Sequence, residues 1–261
     1  MQQFWSVPRI TRRAWKVWHR NMVVFFRTWK VNFFPPLIEA FLYLFAIGLG
    51  IGSYVKEIDG IPYVNFIAPA ILAISVMNSA FFECTYGSYV RMYYQKSFDA
   101  MIATPLSIED VIAGELLWGA TRSLLYVIIM LPVLGIFGVI SLPLSLLAIP
   151  LAFLGGFMFA GIAMCFTAIT PSIDTLNYPS FLLITPMALF SGTFFPITLL
   201  PALFQYIALA ILPLTHLVAI MRMFTLPALS GILVLHLIWM LIVTAIFCII
   251  AINLMRKRLI V

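Results

Sequence analysis

"SLLYVIIMLPVLGIFGVISLPLSLLAIPLAFLGGFMFAGIAMCFTAITPSI", residues 123–173, contains no Asp, Glu, Lys or Arg. A helix at the surface of a soluble domain keeps one polar face, and neither half of this run has one. The break "SLP" at 141–143 divides it into two pieces, each near the roughly 20 residues that cross a bilayer's hydrocarbon core as a helix. The next interval, from Asp174 to Arg222, is equally free of these four residue types. Over the whole chain of 261 residues, 64% are hydrophobic, 9% are charged and the mean hydropathy is +1.11. An ordinary soluble domain carries about 25% charged residues. A soluble helical bundle of this composition would have nothing with which to cover its core, so the chain reads as an all-α polytopic membrane protein.

Working outward, spans are expected near 33–53, 62–87, 111–137, 142–169, 176–196 and 231–254. The breaks "KEIDGIP" at 56–62, "SLP" at 141–143 and "TPSID" at 170–174 carry turn chemistry or charge. Pro69, Pro132, Pro150 and Pro186 fall inside spans, where neighbouring helices re-satisfy the freed backbone groups. Residues 197–227 pose the parity question. Pro201 and Pro213 cut this segment into pieces too short to cross, so it is expected to enter and leave on one side as a re-entrant outer hairpin. Arg9, Arg12, Arg13, Lys16, Arg20, Arg27 and Lys30 near the start and Arg256, Lys257 and Arg258 near the end all favour the cytoplasm. Six spans satisfy both, leaving Lys56 and Arg222 alone on the outer side and Arg122 inside a span. Both termini are therefore expected to be cytoplasmic.

The first thirty residues do not read as a signal peptide, because the basic stretch is long and no short apolar run with a small-residue cleavage site follows it. Arg9, Arg13, Lys16, Arg20 and Arg27 recur at helical spacing on one face, with Ile10, Ala14, Val17, Trp18, Val24 and Phe25 on another. That pattern is an interfacial amphipathic helix over 1–30. It is either a topology anchor or also a docking element.

Several chemistries are not signalled. Cys84, Cys165 and Cys248 stand singly, and His19, His216 and His236 have no ligand-type spacing, so neither a metal site nor a disulfide framework is expected. There is no nucleophile elbow, no nucleic-acid signature and no G-x-x-x-x-G-K-[ST] phosphate loop. The net charge of +6 comes from the two basic ends and reports topology.

One island of charge remains. Of nine acidic residues, Glu83, Asp99, Glu109, Asp110 and Glu115 lie within residues 81–122. Residues 88–110 form the long cytoplasmic connection between the second and third spans. "QKSFDAMIATPLSIED" reads as a short helix over 96–103, a turn at Thr104-Pro105, and a capping box in which Ser107 and Asp110 open the third span. A short amphipathic helix beneath a membrane bundle suits docking on a soluble partner. Deeper, Glu39, Glu83, Glu115 and Arg122 are costly in lipid and need partners or a path. Glu115–Arg122 and Glu83–Arg122 are both candidate pairs, and Glu39, after Pro35-Pro36, is a candidate gate. His216 and Arg222, in the re-entrant segment, are positioned either for an anionic headgroup leaving outward or as topology anchors.

The stretches "FFECTYGSYVRM", "FDAMIATPLSIEDVIAGELLWGATR", "FIAPAILAISVMNSA", "LLITPMALFSGTFFPITLLP" and "LPLTHLVAIMR" resemble the transmembrane subunits of type 2 ABC exporters over nearly the whole chain. The "SGTFFP…LP…LPLTH" block is general to those exporters, related polysaccharide and O-antigen permeases included. The pattern in "FDAMIATPLSIEDVIAGELLW" points to the branch that exports nodulation factor, a lipo-chitooligosaccharide. The resemblance implies a single transmembrane domain over 1–261 in a bacterial cytoplasmic (inner) membrane. It also implies a homodimer working with two copies of a separate ATPase that holds the ATP and Mg, with no cofactor and no catalytic residue on this chain. Gln95, Lys96, Phe98, Asp99, Thr104 and Pro105 would form the coupling segment, and the cargo would be a glycolipid, lipo-oligosaccharide or lipid-linked polysaccharide. Two other classes stay in view. An integral-membrane enzyme would use Glu109, Asp110 and Glu115, although no second acid/base cluster faces them. A proton-coupled transporter would use Glu83, Glu115 and His236 and should show two similar halves; none is apparent.

Overall fold

The computed structural model describes residues 7–58, 60–141, 143–226 and 231–260. The described residues are ordered by α1 (Ala14–Arg27), α2 (Trp29–Tyr54), α3 (Tyr63–Tyr94), α4 (Ser97–Ile102), α5 (Ile108–Ile136), α6 (Leu144–Ile169), α7 (174–190), α8 (Ala202–Ile211), α9 (Pro213–Thr225) and α10 (Leu233–Leu259), with a single 3-10 turn at Ile197–Leu199 before α8. A two-residue antiparallel pair, β1 (Glu57–Ile58) with β2 (Ile61–Pro62), closes the turn between α2 and α3. Among the described residues five helices, α2, α3, α5, α6 and α10, are long and apolar enough to span a membrane.

The centre of the bundle is α3. Of its apolar window 83% is buried, against 18% for α2 and 17% for α10. It packs on α5 and α6, α10 lies along α6, and α2 leans on α5. The outer faces of α2 and α10 remain apolar, with Phe34, Ile38, Leu42, Leu235, Leu241 and Ile242 exposed, as suits helices that border lipid.

Three expectations shift. The second span does not end at residue 87: its helix runs on through π-helical turns to Tyr94, so the connection to α5 is shorter than 88–110. The expected fifth span, 176–196, is helical over 174–190 and irregular from Ser191 to Pro196. At 1.5 Å per residue α7 reaches about 25 Å, short of a hydrocarbon core of about 30 Å. The irregular stretch is viable because protein covers its carbonyls: Tyr63 Oη donates to Phe194 O at 3.1 Å and Arg222 Nη2 to Thr193 O at 3.1 Å. The third shift concerns α1, described below. The re-entrant reading of 197–227 is matched by α8 and α9, bent by 88° at Leu212; Pro227 lies outside the described residues.

Both described ends of the chain meet at the α4 end of the bundle. Thr11 bonds to Asp110 at the start of α5, Arg256 lies 3.5 Å from Glu109, and Arg258 donates to the carbonyls of Thr167 and Thr170 at the end of α6. An even number of crossings follows, with α7 as the short one and the α8–α9 hairpin not crossing.

Instead of lying free on an interface, α1 is packed against α5, with Ala14, Val17 and Asn21 buried. Val24, expected on the apolar face, is 53% exposed, and Arg9 and Ile10 precede the helix. The close approach depends on Gly114, where a Cβ would come within 2.5 Å of Val17 Cβ and 2.7 Å of Ala14 O. Gly114→Val is expected to lift α1 off α5 while leaving the span inserted. Limited trypsin digestion at Lys16 and Arg20 in membranes should then be faster by an order of magnitude, and unchanged protection would show that α1 is held by its polar bonds alone.

Candidate functional site

Glu83, Arg91, Glu115 and Arg122, from the charged stretch 81–122, come together at the α4 end of the bundle, and Asn21 of α1 joins them. Glu83 sits on a π-helical turn of α3, a local widening that is frequent at functional sites. Gly87 makes room for its carboxylate: a Cβ there would stand 3.0 Å from Glu83 Oε1. Arg122 of α5 pairs with Glu83 Oε2. Arg91 Nη1 lies 2.7 Å from Glu83 Oε1, and Trp118 Nε1 donates to the same oxygen at 2.8 Å. Glu115, wholly buried, is paired with Arg91 through Nη2 at 2.6 Å and Nε at 2.9 Å. Its remaining capacity is taken by Ser88 Oγ at 2.9 Å and Asn21 Nδ2 of α1 at 2.8 Å.

Two carboxylates and two guanidiniums thus form a neutral set in which each carboxylate oxygen has a donor. This resolves the two candidate pairings: Glu83–Arg122 is present, and Glu115 pairs with Arg91 instead of Arg122. Neither Arg91 nor Asn21 was among the expected partners, because spacing along α5 points from Glu115 to Arg122, whereas the actual partners come from α3 and α1. The clue available was Asn21 itself, a polar residue interrupting the apolar stripe Ala14, Val17, Trp18 at positions that face α5.

The same end carries the short connecting helix. Lys96, with φ of 52°, turns the chain in a left-handed conformation to open α4. Phe98 points into the core with no exposure, while Asp99 is 59% exposed beside Lys96 at 4.0 Å. Gln95, Ala100, Ala103, Thr104 and Pro105 are also exposed. Phe98 is therefore placed as the anchor of α4, and the surface available to a partner is made by Gln95, Lys96, Asp99, Thr104 and Pro105. Three side chains of the N-terminal segment brace this loop. Arg20 donates to Ser97 Oγ at 3.0 Å, Arg13 donates to Pro105 O, and Thr11 bonds to Asp110 through its amide at 2.6 Å and its hydroxyl at 2.9 Å. Asp110 at the same time closes the capping box with Ser107.

The remaining candidates lie elsewhere. Glu39 stands well inside α2 and accepts from Ser75 Oγ of α3 at 2.6 Å. At the opposite end, His216 Nε2 lies 2.9 Å from Leu209 O and its Nδ1 lies 2.7 Å from Nδ1 of His236, with Trp239 stacked on the ring at 3.9 Å. A nitrogen facing a carbonyl must donate, so His216 Nδ1 accepts and His236 Nδ1 donates. Arg222 donates to Phe66 O at 3.2 Å and Thr193 O and lies 3.8 Å over the Phe66 ring. His216 and two of the five donors of Arg222 are thus engaged in fastening the hairpin. Among the described residues no group of three or more His, Cys, Asp or Glu is gathered as metal ligands are.

Removing one member of a buried ion pair strands the other, at a cost of about 3–5 kcal/mol. Glu115→Leu is expected to lower the thermal midpoint in detergent sharply, and Arg91→Leu combined with it to recover part of the loss. Thermal-shift measurements on both variants and the single Arg91→Leu close the cycle. Additive losses would mean that the two residues are not coupled.

Comparison with known proteins bears on this arrangement. The model of the ABC-2 type transporter family matches residues 12–226. Nodulation protein J of Sinorhizobium fredii (strain NBRC 101917 / NGR234) is 34% identical over 243 residues, 93% of this chain and 92% of that protein. Nodulation protein J of Rhizobium leguminosarum bv. viciae is 35% identical over 206 residues, 79% of each chain. The inner membrane transport permease YadH of Escherichia coli (strain K12) is 26% identical over 202 residues, 72% of this chain and 73% of its own length.

Proposed function

The chain belongs to the ABC-2 type transporter family, and from that premise we propose that α4 is the point at which a separate ATPase moves it. It is the multi-pass membrane subunit of an ABC exporter, and ATP hydrolysis in this family takes place on another subunit. The observation that carries the α4 assignment is its division into two faces. Phe98 is fixed in the core, and Asp99, Lys96 and Thr104 face outward. Force applied to the outer face passes through Ser97 to Arg20, through Pro105 to Arg13 and through Asp110 to Thr11, so that α1, α4 and the start of α5 move as one unit.

In the working transporter two copies of this chain pair and each takes one ATPase subunit, which holds the ATP and Mg; this chain holds no cofactor. The exposed apolar faces of α2 and α7, with Ile38, Leu42, Phe181 and Leu182 outward, supply lipid- or copy-facing surface for that pairing. The cargo is an amphiphile bearing sugar, a glycolipid, lipo-oligosaccharide or lipid-linked polysaccharide, a reading supported by the resemblance of "FDAMIATPLSIEDVIAGELLW" to the nodulation-factor branch. The α4 end faces the cytoplasm and the α8–α9 hairpin the outside, because Arg9, Arg12, Arg13, Lys16, Arg20, Arg27, Arg256, Lys257 and Arg258 gather at the α4 end.

Asp99→Arg is expected to lower co-purification of the ATPase about tenfold or more and to abolish export, with insertion and thermal stability unchanged. Phe98→Ala should instead destabilise the membrane subunit, since burying a Phe is worth about 3–5 kcal/mol against Ala. Retention of ATPase and export by Asp99→Arg would exclude α4 as the contact.

Sidedness has its own check. In a chain lacking its three cysteines, Leu199→Cys should react with a membrane-impermeant maleimide added to intact cells, and Lys257→Cys only after permeabilisation. The reverse pattern would invert the topology.

A further inference from the structure

Where α1 passes into α2, two cavities lie in line on α5. One, of ≈ 230 Å³, is polar and is walled by Arg20, Asn32, Gln95, Trp118 and Arg122 among others. Glu83 and Arg122 separate it from a further polar cavity of ≈ 350 Å³ between α2, α3 and α5. The other cavity on this line, of ≈ 240 Å³, is walled by aromatic and aliphatic side chains, Phe26, Trp29, Phe33, Leu125 and Ile129 among them. Phe25 stands between the two and lines both. Trp118, Arg122, Leu125 and Ile129 follow at intervals of four, three and four, which puts them on one face of α5. At 1.5 Å per residue the step from Trp118 to Ile129 is about 16 Å along that face. The polar half is therefore nearer the α4 end and the apolar half deeper in the span. Phe26, Trp29 and Ile128 are 58%, 51% and 41% exposed, so the apolar half is open sideways to the bilayer.

The charge at this junction is one-sided. Arg91 and Arg122, on the wall of the polar half, are matched by Glu115 and Glu83. Arg20 is not: its bonds go to the neutral Asn21 Oδ1 at 3.2 Å and Ser97 Oγ at 3.0 Å. It stands in none of the ion pairs among the described residues, and neither do the exposed Arg27 and Lys30. Glu39, the next carboxylate along α2, is nine residues past Lys30, about 14 Å further along the helix. Arg20 Nε and Arg122 Nη2 have no hydrogen-bond partner among the described residues, and neither is among the buried atoms left without one, so both are accessible. A guanidinium only donates. What meets these atoms presents acceptors, and the surplus of cations calls for negative charge.

A free inorganic anion would use the cationic half and leave the apolar half empty, and an alkyl chain alone would do the reverse. A zwitterionic head would bring an ammonium toward Arg20 with Glu83 and Glu115 already taken. One molecule with an anionic phosphodiester head and an acyl tail uses both halves, and in the order in which a leaflet on the α4 side presents them. We propose that this two-part groove binds an anionic phospholipid as a resident lipid, distinct from the exported cargo; that the leaflet is the cytoplasmic one rests on the sidedness proposed above. The phosphate accepts from Arg20 and Arg122, Arg27 and Lys30 add attraction at headgroup level, and one acyl chain lies along Phe26, Trp29, Leu125 and Ile129. No bond is made or broken. Because Arg20 also holds Ser97 and the adjoining Asn21 holds Glu115, an occupied groove braces α1 on α5 and with it the α4 loop.

The test places the full chain, without its ATPase, in phosphatidylcholine nanodiscs carrying a trace of phosphatidylglycerol with a diazirine on one acyl chain. After irradiation the labelled peptides are located by mass spectrometry. Label is expected on α5 around Leu125–Ile129 and on α2 around Trp29–Phe33. Unlabelled phosphatidylglycerol should displace it, and neither phosphatidylethanolamine nor inorganic phosphate should. Arg20→Gln and Lys30→Gln should each weaken retention about 5-fold, as loss of one cation near a headgroup does. Leu125→Trp, which fills the apolar half and leaves every cation in place, should remove the label on α5. Arg20 also braces α4, so Lys30→Gln and Leu125→Trp keep the result independent of any loosening of α1. Equal displacement by phosphatidylethanolamine, which would mean an unselective lipid-facing surface, overturns the proposal. So does displacement by inorganic phosphate, which would mean a site for free anions, or unchanged labelling in both Lys30→Gln and Leu125→Trp. Both leaflets of the nanodisc have one composition, so labelling depends neither on which end is cytoplasmic nor on the ATPase contact. A reversed maleimide pattern with the label intact would therefore reject the sidedness and leave the lipid site standing.

Discussion

Two carboxylates cannot sit inside a membrane bundle unless each is matched, and the pairing of Glu83 and Glu115 with Arg122 and Arg91 governs much of the surrounding structure. Each of these charges alone would carry a large insertion cost. Together they are neutral, and Trp118, Ser88 and Asn21 fill the remaining lone pairs. The geometry this demands is visible in the backbone: a π-helical turn at Glu83, a glycine at 87 where a side chain would meet the carboxylate, and a second π-helical turn carrying Arg91 back toward α5. A well-packed apolar set of the same volume would be at least as stable. What the set fixes geometrically is the registry of α1, α3 and α5, since its members come from all three.

Seen from this set, the N-terminal helix is not a free amphipathic float. It enters the arrangement through Asn21, is braced by Trp18 on Thr121 at 2.8 Å, and holds the α4 loop with Arg13 and Arg20. The α4 loop is therefore connected to Glu115 by two routes, through Arg20 and Asn21 and along α5 itself. The wall between the two polar cavities is the next group along, since Arg91 touches both Glu115 and Glu83. A continuous run of hydrogen bonds and ion pairs thus leads from Ser97 through Arg20, Asn21, Glu115, Arg91 and Glu83 to Arg122.

The architecture was largely legible because hydropathy and charge counting act on whole segments. Residues 123–173 could only be two spans, and the proline-cut 197–227 could only turn back. The capping box at Ser107 and Asp110 was legible for a local reason, since its partners are three residues apart. The parts that spacing could not reach all depend on contacts between distant segments. Glu115 finds Arg91 on another helix, Asp110 finds Thr11, and Phe98 turns inward because the left-handed residue Lys96 sets the phase of α4. The shortness of α7 was hidden for a related reason: "SGTFFP" is apolar enough to read as span, and only the donors on Tyr63 and Arg222 let it leave the helix.

The two ends of the bundle use different chemistry, and the difference bears on what can move. At the α4 end the bonds are ionic, long side chains reach across helices, Arg20 and Arg122 line a cavity and Asp99 is exposed. Such contacts tolerate sliding, because a guanidinium can exchange partners while remaining paired. At the hairpin end the fastening is made by directional bonds on short, stiff groups. His216 is held between Leu209 O, His236 and the face of Trp239, and Arg222 is locked on two carbonyls and a ring. None of these survives a shift of an ångström without leaving a buried polar group unpaired. Ion pairs of long side chains at the α4 end can therefore re-form after a shift, whereas the hairpin is fixed on α10 through His216 and His236.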